Sequence, residues 1–252
     1  MNYQFTPEER REIIALMNRE IIPAIGCTEP IAIAYAAAIL REALGDMPTE
    51  IDAHFSGNII KNVKSVIVPN TNGLKGIPAA ATAGIVAGKS EKKLEVIAEV
   101  TPEEIAGMRT FMDIVPIEVH HFHNGLTFDI IVTVYKGESY AKVRIVNFHT
   151  NIVHIEKDGE ILHKIEVEGE SEEGLTDRSF MNLADILDFA NTVAIEDIEP
   201  TIARQIEYNT AIAVEGMTGK WGSAVGKTLM DVYGDGILNR ARAIAAAGSD
   251  AR

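Results

Sequence analysis

The first hydrophobic pattern along the chain has the spacing of a helix. Thr6-Pro7-Glu8-Glu9 carries the signals of a helix start, because Thr6 can cap the first turn and Glu9 stands where a capping box requires an acid. Apolar residues then recur every three or four positions as far as Ile22. The pattern predicts an amphipathic first helix that ends near Pro23.

The next two helices are predicted to be buried, because they have almost no polar side. Residues 29–43 form the second helix, with Thr28 as its N-cap and Gly45 after its end. Its segment 31–40 is apolar nearly all round, which indicates a central position in the core. The third helix starts at Pro78 and is rich in alanine and glycine, so neighbouring backbones can come close to it.

Between and after these helices the hydrophobic period changes to two, which is the period of strands. Residues 50–55 and 94–100 each predict a strand, and Ser56-Gly57-Asn58 predicts a polar turn. From Ile114 to Val167 several alternating segments follow one another, which predicts an antiparallel meander that forms a layer of its own. Its turns are predicted at Asn124-Gly125, at Lys136-Gly137 and at Lys157-Asp158-Gly159-Glu160.

The last part of the chain returns to helical spacing. Residues 168–174 are acidic, contain glycine and lack apolar side chains, which is typical of a linker or a surface loop. Three helices are predicted after this loop, over residues 183–192 with Asn182 as cap, 199–217 and 229–247.

These elements together predict an α+β fold, in which a helical bundle with a small-residue-rich core is combined with an antiparallel β-meander layer. A chain of 252 residues with 46% hydrophobic content is large enough for such a core. We divide it into an N-terminal α/β part over residues 1–113, the meander over 114–168 and a helical part over 169–252.

Composition limits the cellular compartments in which we expect this chain. No apolar run approaches the roughly 20 residues needed to cross a bilayer, and the start of the chain lacks the basic and apolar regions of a signal peptide. A single cysteine excludes an internal disulfide framework and fits a reducing compartment. We therefore expect a cytoplasmic protein.

The net charge narrows the choice of partners. With 23 basic and 37 acidic residues the chain carries −14 at neutral pH, whereas phosphate binding needs clustered lysine and arginine. The charge thus argues against nucleic acid and against an anionic membrane surface. A homo-oligomer is compatible with the sequence, because the edges of the meander can pair between chains.

Cys27 is the only cysteine and stands directly before the buried second helix, in Gly26-Cys27-Thr28-Glu29-Pro30. The positive end of a helix stabilises a thiolate over a thiol, so Cys27 can serve as a soft metal ligand or as a nucleophile. A lone cysteine is also often a small buried hydrophobic residue, and the pattern leaves that interpretation open.

Two further segments carry candidate chemistry. His149-Thr150-Asn151-Ile152-Val153-His154 interrupts a strand pattern, so we expect at least one imidazole to point into a pocket; a β-bulge with His154 at the strand end is the alternative. Ser56, Asn58 and Lys61 offer hydroxyl, amide and ammonium donors for a small carboxylate, although a polar turn explains them equally well.

A histidine cluster lies near the predicted hairpin tip. His121 and His123 would face the same side of a strand, with His120 beside them. No cysteine is nearby, and exposed polar residues are normal at such a tip. We therefore interpret the cluster as a solvated strand end rather than as a zinc site.

Five segments together resemble a known family. They are, in chain order, Gly26-Cys27-Thr28-Glu29-Pro30, Ser56-Gly57-Asn58-Ile59-Ile60-Lys61-Asn62, His149-Thr150-Asn151-Ile152-Val153-His154-Ile155-Glu156, Gly219-Lys220-Trp221-Gly222 and Ser249-Asp250-Ala251-Arg252. They resemble the L-cysteine desulfidase family, which is related to the α chain of iron–sulfur L-serine dehydratases. The resemblance implies a [4Fe–4S]-dependent lyase that eliminates sulfide from L-cysteine, or water from L-serine, and yields pyruvate and ammonia. In such enzymes three cysteines hold the cluster and the fourth iron binds the substrate.

The resemblance also implies roles for individual residues. Cys27 corresponds to the N-terminal cluster ligand. The other candidates lie in the shared motifs: Lys61, His149 and His154 as catalytic residues, and Thr28, Glu29, Ser56, Asn58 and Asn151 as substrate-binding residues. An open iron would act as a Lewis acid while a protein base removes the α-proton, and the resemblance does not assign that base.

The family pattern continues beyond residues 249–252 with the remaining cluster cysteines, which this chain lacks. We therefore expect the chain to be the N-terminal part of a longer protein, to bind no intact cluster and to be inactive alone, whereas the complete protein is a lyase. The alternative is a non-catalytic ligand-binding or structural module that keeps the fold. The sequence does not separate L-cysteine from L-serine as the substrate.

Overall fold

The computed structural model describes residues 5–167 and 178–251 and has the predicted α+β composition. The helices of these residues are α1 (Pro7–Glu20), α2 (Thr28–Leu44), α3 (Gly57–Val63), α4 (Gly76–Ala87), a 3₁₀ helix (Ser90–Glu95), α5 (Pro102–Ile114), α6 (Leu183–Thr192), α7 (Ile195–Gly216), α8 (Val225–Tyr233) and α9 (Ile237–Asp250). The strands are β1 (Glu50–Phe55), β2 (Ile117–His121), β3 (Asp129–Lys136), β4 (Ser139–Val146), β5 (Ile152–Lys157) and β6 (Glu160–Lys164). None of the helices described combines the length and the hydropathy that a membrane crossing requires.

The chain divides into two units with separate internal packing. The larger unit is Ala24–Glu173, and the smaller unit combines Met1–Pro23 with Gly174–Arg252. This division differs from the three predicted parts, because one strand of the first part and the strands of the meander form a single sheet. The acidic loop predicted over residues 168–174 lies outside the described residues.

The sheet of the larger unit has the order β2-β1-β3-β4-β5-β6. Strand β1 lies between β2 and β3, parallel to β2 and antiparallel to β3, and the meander continues from β3 to β6. The turns predicted at 136–137 and 157–160 connect neighbouring strands and are confirmed. The hairpin predicted at Asn124-Gly125 is wrong, because β1 separates β2 from β3. Alternating side chains reveal a strand but do not reveal its partner.

The two faces of this sheet differ in chemistry. Ile51, Ala53 and Phe55 of β1 are fully buried on one face, which we call the covered face, and they share one core with α2 and α4. The side chains between them, Asp52 and His54, point to the opposite face, which we call the polar face. The predicted layer of strands is therefore one side of the core of the larger unit.

Helix α2 is as buried as its composition predicts, since every residue from Ile31 to Ala38 is buried. Helix α4 approaches it closely because Gly84 lacks a side chain: a Cβ atom at Gly84 would lie only 2.1 Å from the carbonyl oxygen of Ala34. The prediction that the third helix allows close backbone contact is confirmed. This contact fixes the position of α2, whose first turn carries Cys27 and Glu29.

Two local predictions in the larger unit are wrong. Residues 94–100 begin in a 3₁₀ helix and continue in turns, and Leu94, Val96 and Ile97 pack into the core from this irregular segment. Ser56 does not belong to a simple turn but is the N-cap of α3. In both places the local sequence is also compatible with a strand or a turn. Packing against α2 favours the backbone conformation that is observed.

The smaller unit is helical, as predicted. Its first helix opens with the predicted capping box, in which the Glu9 N–H donates to Thr6 Oγ1 at 3.2 Å and the Thr6 N–H donates to Glu9 Oε2 at 2.7 Å. The single helix predicted over residues 229–247 is wrong. It is divided into α8 and α9, because Gly234 takes a φ of 74° and ends α8.

Candidate functional site

The N-terminus of α2 carries a group of polar side chains that are connected by hydrogen bonds. Cys27 is the N-cap, with φ −71° and ψ 126°, so the helix begins at Thr28, and the prediction of Thr28 as the cap is wrong by one position. The Cys27 side chain makes no capping bond to the helix backbone. Its thiol instead donates to Glu29 Oε2 at 3.3 Å.

Glu29 is the centre of this group. Thr28 Oγ1 lies 3.5 Å from Glu29 Oε2, and the Asn62 amide donates to Glu29 Oε1 at 3.1 Å. Partial burial would raise the pKa of Glu29, but hydrogen bonds from its own backbone, from Cys27 and from Asn62 hold this pKa below its usual value, with a smaller contribution from His149 when that imidazole is protonated. Glu29 is therefore an anion at neutral pH.

His149 approaches the same carboxylate from the turn between β4 and β5. Its ring packs edge-to-face on Phe128, with 4.7 Å between the ring centroids. Its Nε2 atom is buried and has no hydrogen-bond partner among the described residues. Burial lowers the pKa of His149, and the negative charge of Glu29 opposes this shift only in part. His149 is thus a neutral imidazole with one unused nitrogen.

The three groups form a site capable of acid–base chemistry. A neutral imidazole with an unpaired nitrogen can accept a proton, and the anionic Glu29 can bind a cationic group. The hydrogen bond from Cys27 to Glu29 requires the thiol proton, so the adjacent carboxylate counteracts the helix-end field that favours a thiolate. A bound metal ion would reverse this balance, because its charge favours the thiolate.

The side chains of this chain can be compared with the ligands that a [4Fe–4S] cluster needs. Such a cluster is held mainly by cysteine thiolates, one to each liganded iron, and the chain has one cysteine. The Cys27 thiol donates to the Glu29 carboxylate, which also lies 3.5 Å from the Thr28 hydroxyl. The residues of this chain therefore do not fit an intact cluster by themselves.

Three predicted residues lie on or before α3, but they differ in environment. Ser56 is buried, donates to the Thr127 carbonyl at 2.8 Å and accepts from the Asp129 N–H at 3.3 Å, so its hydroxyl connects α3 to β3. Asn58 and Lys61 are exposed on the helix. The α3 residue that contacts Glu29 is Asn62, which lies in the quoted motif but was not selected, because spacing alone does not show which way its amide points.

Asn151 and His154 also have separate surroundings. The Asn151 amide donates to the Val146 carbonyl at 3.0 Å, which closes the turn that carries His149. His154 lies on the polar face, where its Nε2 is 2.9 Å from Glu156 Oε2 and its register partner is Arg144. A register shift next to Arg144 shows the bulge that the interrupted pattern had suggested.

Comparison with known proteins shows similarity over almost the whole chain. A UPF0597 protein of Desulfitobacterium hafniense is 50% identical over 240 residues, which are 94% of this chain and 55% of that protein. UPF0597 proteins of Lachnoclostridium phytofermentans and Fusobacterium nucleatum are 47% and 40% identical, each over 96% of this chain and 58% of its own length. The chain thus spans little more than half the length of these relatives.

The same comparison corrects the family assignment. The relatives carry the name UPF0597, and the assignment to the L-cysteine desulfidase family is wrong on this finding. No family model matches the chain, and no solved structure matches it. The name UPF0597 states no activity, so the chemistry of the site has to be argued from its residues.

Proposed function

We propose that the site at the N-terminus of α2 serves an iron–sulfur-dependent lyase, which eliminates sulfide or water from a β-substituted amino acid such as L-cysteine or L-serine. The observation that carries the proposal is the buried Nε2 atom of His149, which has no hydrogen-bond partner among the described residues, in an imidazole that interacts electrostatically with Glu29, the carboxylate that accepts from the Cys27 thiol. An elimination needs a base for the α-proton, a group that holds the ammonium and help for the leaving group. His149 offers the base and Glu29 the group that holds the ammonium, whereas help for the leaving group would come from a cluster to which Cys27 contributes one ligand.

His149 is the base in this proposal. Its lowered pKa keeps the imidazole neutral, so Nε2 can take the α-proton at neutral pH. The electron pair of the broken C–H bond forms the Cα=Cβ bond, while the β-substituent leaves as sulfide or water. The enamine then tautomerises, and water hydrolyses the imine to pyruvate and ammonia.

Glu29 is the group that binds the substrate ammonium. The hydrogen bond from Asn62 orients its carboxylate, and its lowered pKa keeps it ionised, which matches a positive charge on the substrate. Thr28 adds a hydroxyl at 3.5 Å from the same carboxylate. With Cys27 deprotonated as a ligand, the thiol no longer donates to Glu29, and the substrate ammonium can take that place.

Cys27 supplies one cluster thiolate in this proposal. The other thiolates have to come from outside the 252 residues, since the chain has no second cysteine. A cluster with an open iron would supply Lewis-acid activation of the leaving group. The cytoplasmic location and the pairing of chains stay predictions of the sequence.

The test uses the complete gene product, reconstituted anaerobically with iron and sulfide. We expect iron–sulfur absorbance together with pyruvate formation from L-cysteine or L-serine. Cys27→Ser should lose both signals. His149→Gln should keep the absorbance and lower kcat by roughly 100-fold or more, as expected for removal of a general base.

The matched control is His123→Gln, which changes an exposed histidine outside the site. This variant should keep both absorbance and turnover. A colourless protein that is indifferent to Cys27→Ser would overturn the iron–sulfur part of the proposal. Amino-acid binding in calorimetry without any turnover would instead favour a non-catalytic binding module.

A further inference from the structure

The polar face carries a second cluster of ligand-type side chains, which the proposed elimination does not use. The parallel register of β1 and β2 pairs Asp52 with Glu118 and His54 with His120. In a strand, residues two positions apart point to the same face, so all four side chains lie together. The pattern is an acid-x-histidine sequence on each of two adjacent strands, in register.

The distances within this cluster are those of a ligand set. Nε2 of His54 and Nε2 of His120 lie 3.1 Å and 3.4 Å from the same Asp52 oxygen, Oδ1. His120 Nε2 is also 3.3 Å from Glu118 Oε2. The metal-ligand atoms of Asp52, His54 and His120 all lie within 4.8 Å of one another. Zinc bonds of about 2.0–2.1 Å at tetrahedral angles place neighbouring ligand atoms about 3.3 Å apart, close to these separations.

The Asp52 carboxylate is only half satisfied by protein contacts. Its Oδ2 pairs with His54 Nε2 at 3.1 Å, whereas Oδ1 is buried and has no hydrogen bond of acceptable geometry among the described residues. The two imidazole Nε2 atoms thus approach Oδ1 without forming a well-directed hydrogen bond to it. A buried carboxylate oxygen in this position is stabilised by a cation or a donor that reaches it. An ion between the two imidazoles and Asp52 would supply that partner.

The histidine rings are positioned for binding from one side. They stack with centroids 4.8 Å apart and an angle of 29°, and Phe122 lies edge-on to His54 at 6.4 Å. This arrangement holds both Nε2 atoms near Asp52 before any ion binds. His121 and His123 contact each other instead, with centroids 4.3 Å apart. The exposure of His120, His121 and His123 agrees with the interpretation as a solvated strand end, and the fold in addition brings His120 beside His54.

We propose that Asp52, His54 and His120, with Glu118 as a fourth ligand, form a binding site for a divalent transition-metal ion of the zinc class. Two imidazoles and two carboxylates without a thiolate form a borderline donor set that suits Zn²⁺ or Co²⁺. The ion would connect β1 to the edge strand β2, so its expected role is to stabilise that edge of the sheet. The site is independent of the proposed elimination at Cys27.

The test is a titration of the metal-free protein with Zn²⁺ and, separately, with Co²⁺, in a Cys27→Ser background so that the thiol does not contribute. We expect one ion per chain at this site, a visible Co²⁺ absorbance that Zn²⁺ displaces, and a higher melting temperature with Zn²⁺. His54→Gln and His120→Gln should each weaken binding by roughly 100-fold, since losing even a partner of a ligand costs about 10–100-fold.

The controls separate this site from general histidine binding. His123→Gln and His163→Gln change exposed histidines outside the cluster and should leave the affinity unchanged. Glu118→Gln, at a side chain that is 67% exposed and therefore tolerant of substitution, should weaken binding while the metal-free melting temperature stays constant. Unchanged affinity in the His54→Gln/His120→Gln double variant, or no binding by the parent protein, would overturn the proposal.

Discussion

The covered face and the polar face of the sheet are made by the same strands, yet different interactions hold them. On the covered face apolar side chains pack against α2, and α4 in turn approaches α2 closely at Gly84. On the polar face charged and aromatic side chains meet at positions set by strand register. Packing on one face fixes the register of the strands, and this register then creates side-chain clusters on the other face.

The largest effect is expected on the covered face, from Gly84→Ala. The added Cβ would lie 2.1 Å from the Ala34 carbonyl oxygen, which is backbone and cannot move aside without shifting α2. We expect the free energy of unfolding to fall by about 3 kcal/mol or more, at the upper end of overpacking costs. Chemical denaturation measures this change.

The matched control is Gly107→Ala in α5, where the new Cβ would be 3.6 Å from Val86 Cγ1, an ordinary contact. This substitution should be neutral or stabilising by up to about 1 kcal/mol, because alanine has the higher helix propensity. Equal destabilisation by both variants would show that the close α2–α4 contact is not special.

The next effect is expected on the polar face, from Arg144→Met. Arg144 donates to both carboxylate oxygens of Asp129, at 3.1 Å and 2.6 Å, and the Asp129 side chain is fully buried. Removing the guanidinium leaves a buried charge, so we expect a loss of about 3 kcal/mol in the free energy of unfolding. Adding Asp129→Asn should restore part of it. A single-variant loss below about 1 kcal/mol would contradict the prediction.

A smaller effect on the free energy of unfolding is expected from pH, through His149, whose ring packs on Phe128. Because burial lowers the pKa of His149 in the folded state, the unfolded chain binds the proton more readily. The stabilising contribution is complete above the unfolded pKa of about 6.5 and is lost as pH falls from there toward the folded pKa.

Denaturant midpoints at about pH 7.5 and about pH 5.5 measure this dependence. The drop between the two values should be smaller in His149→Gln than in the parent protein. His123→Gln should behave like the parent. A drop of the same size in His149→Gln would assign the pH dependence to other groups.

The smallest effect is expected from Tyr140→Phe on the polar face. The Tyr140 hydroxyl donates to Glu156, and this bond, followed by the bond from His154, keeps the pKa of Glu156 below its usual value. The variant should raise the pKa of Glu156, which a carboxyl-carbon NMR titration measures. The melting temperature should barely change, because the pair is near solvent. An unchanged pKa would show that His154 alone sets it.

The candidate site was partly predictable from the sequence. Cys27 and Glu29 are neighbours at a helix start, so their contact follows from local spacing. His149 stands out in the sequence because it interrupts a strand pattern, and the structure brings its imidazole close enough to Glu29 for the two groups to influence each other's pKa. Asn62 was missed, because its amide reaches Glu29 across 33 positions of the chain. Such a contact depends on how α3 packs beside α2.

Several local elements can be read from the sequence. The capping box at Thr6, the buried character of α2 and the turns at residues 136–137 and 157–160 are short-range signals, and the structure confirms them. These elements can be predicted from the sequence because capping and turn geometry involve residues only a few positions apart.

The pairing of the strands depends on long-range packing. The insertion of β1 between β2 and β3 brings residues 52 and 54 beside 118 and 120, although more than 60 positions separate the two pairs. Nothing in the period of either strand specifies this neighbour, because an alternating pattern fits any partner with a matching apolar side. The metal site that we propose on the polar face is a consequence of that pairing.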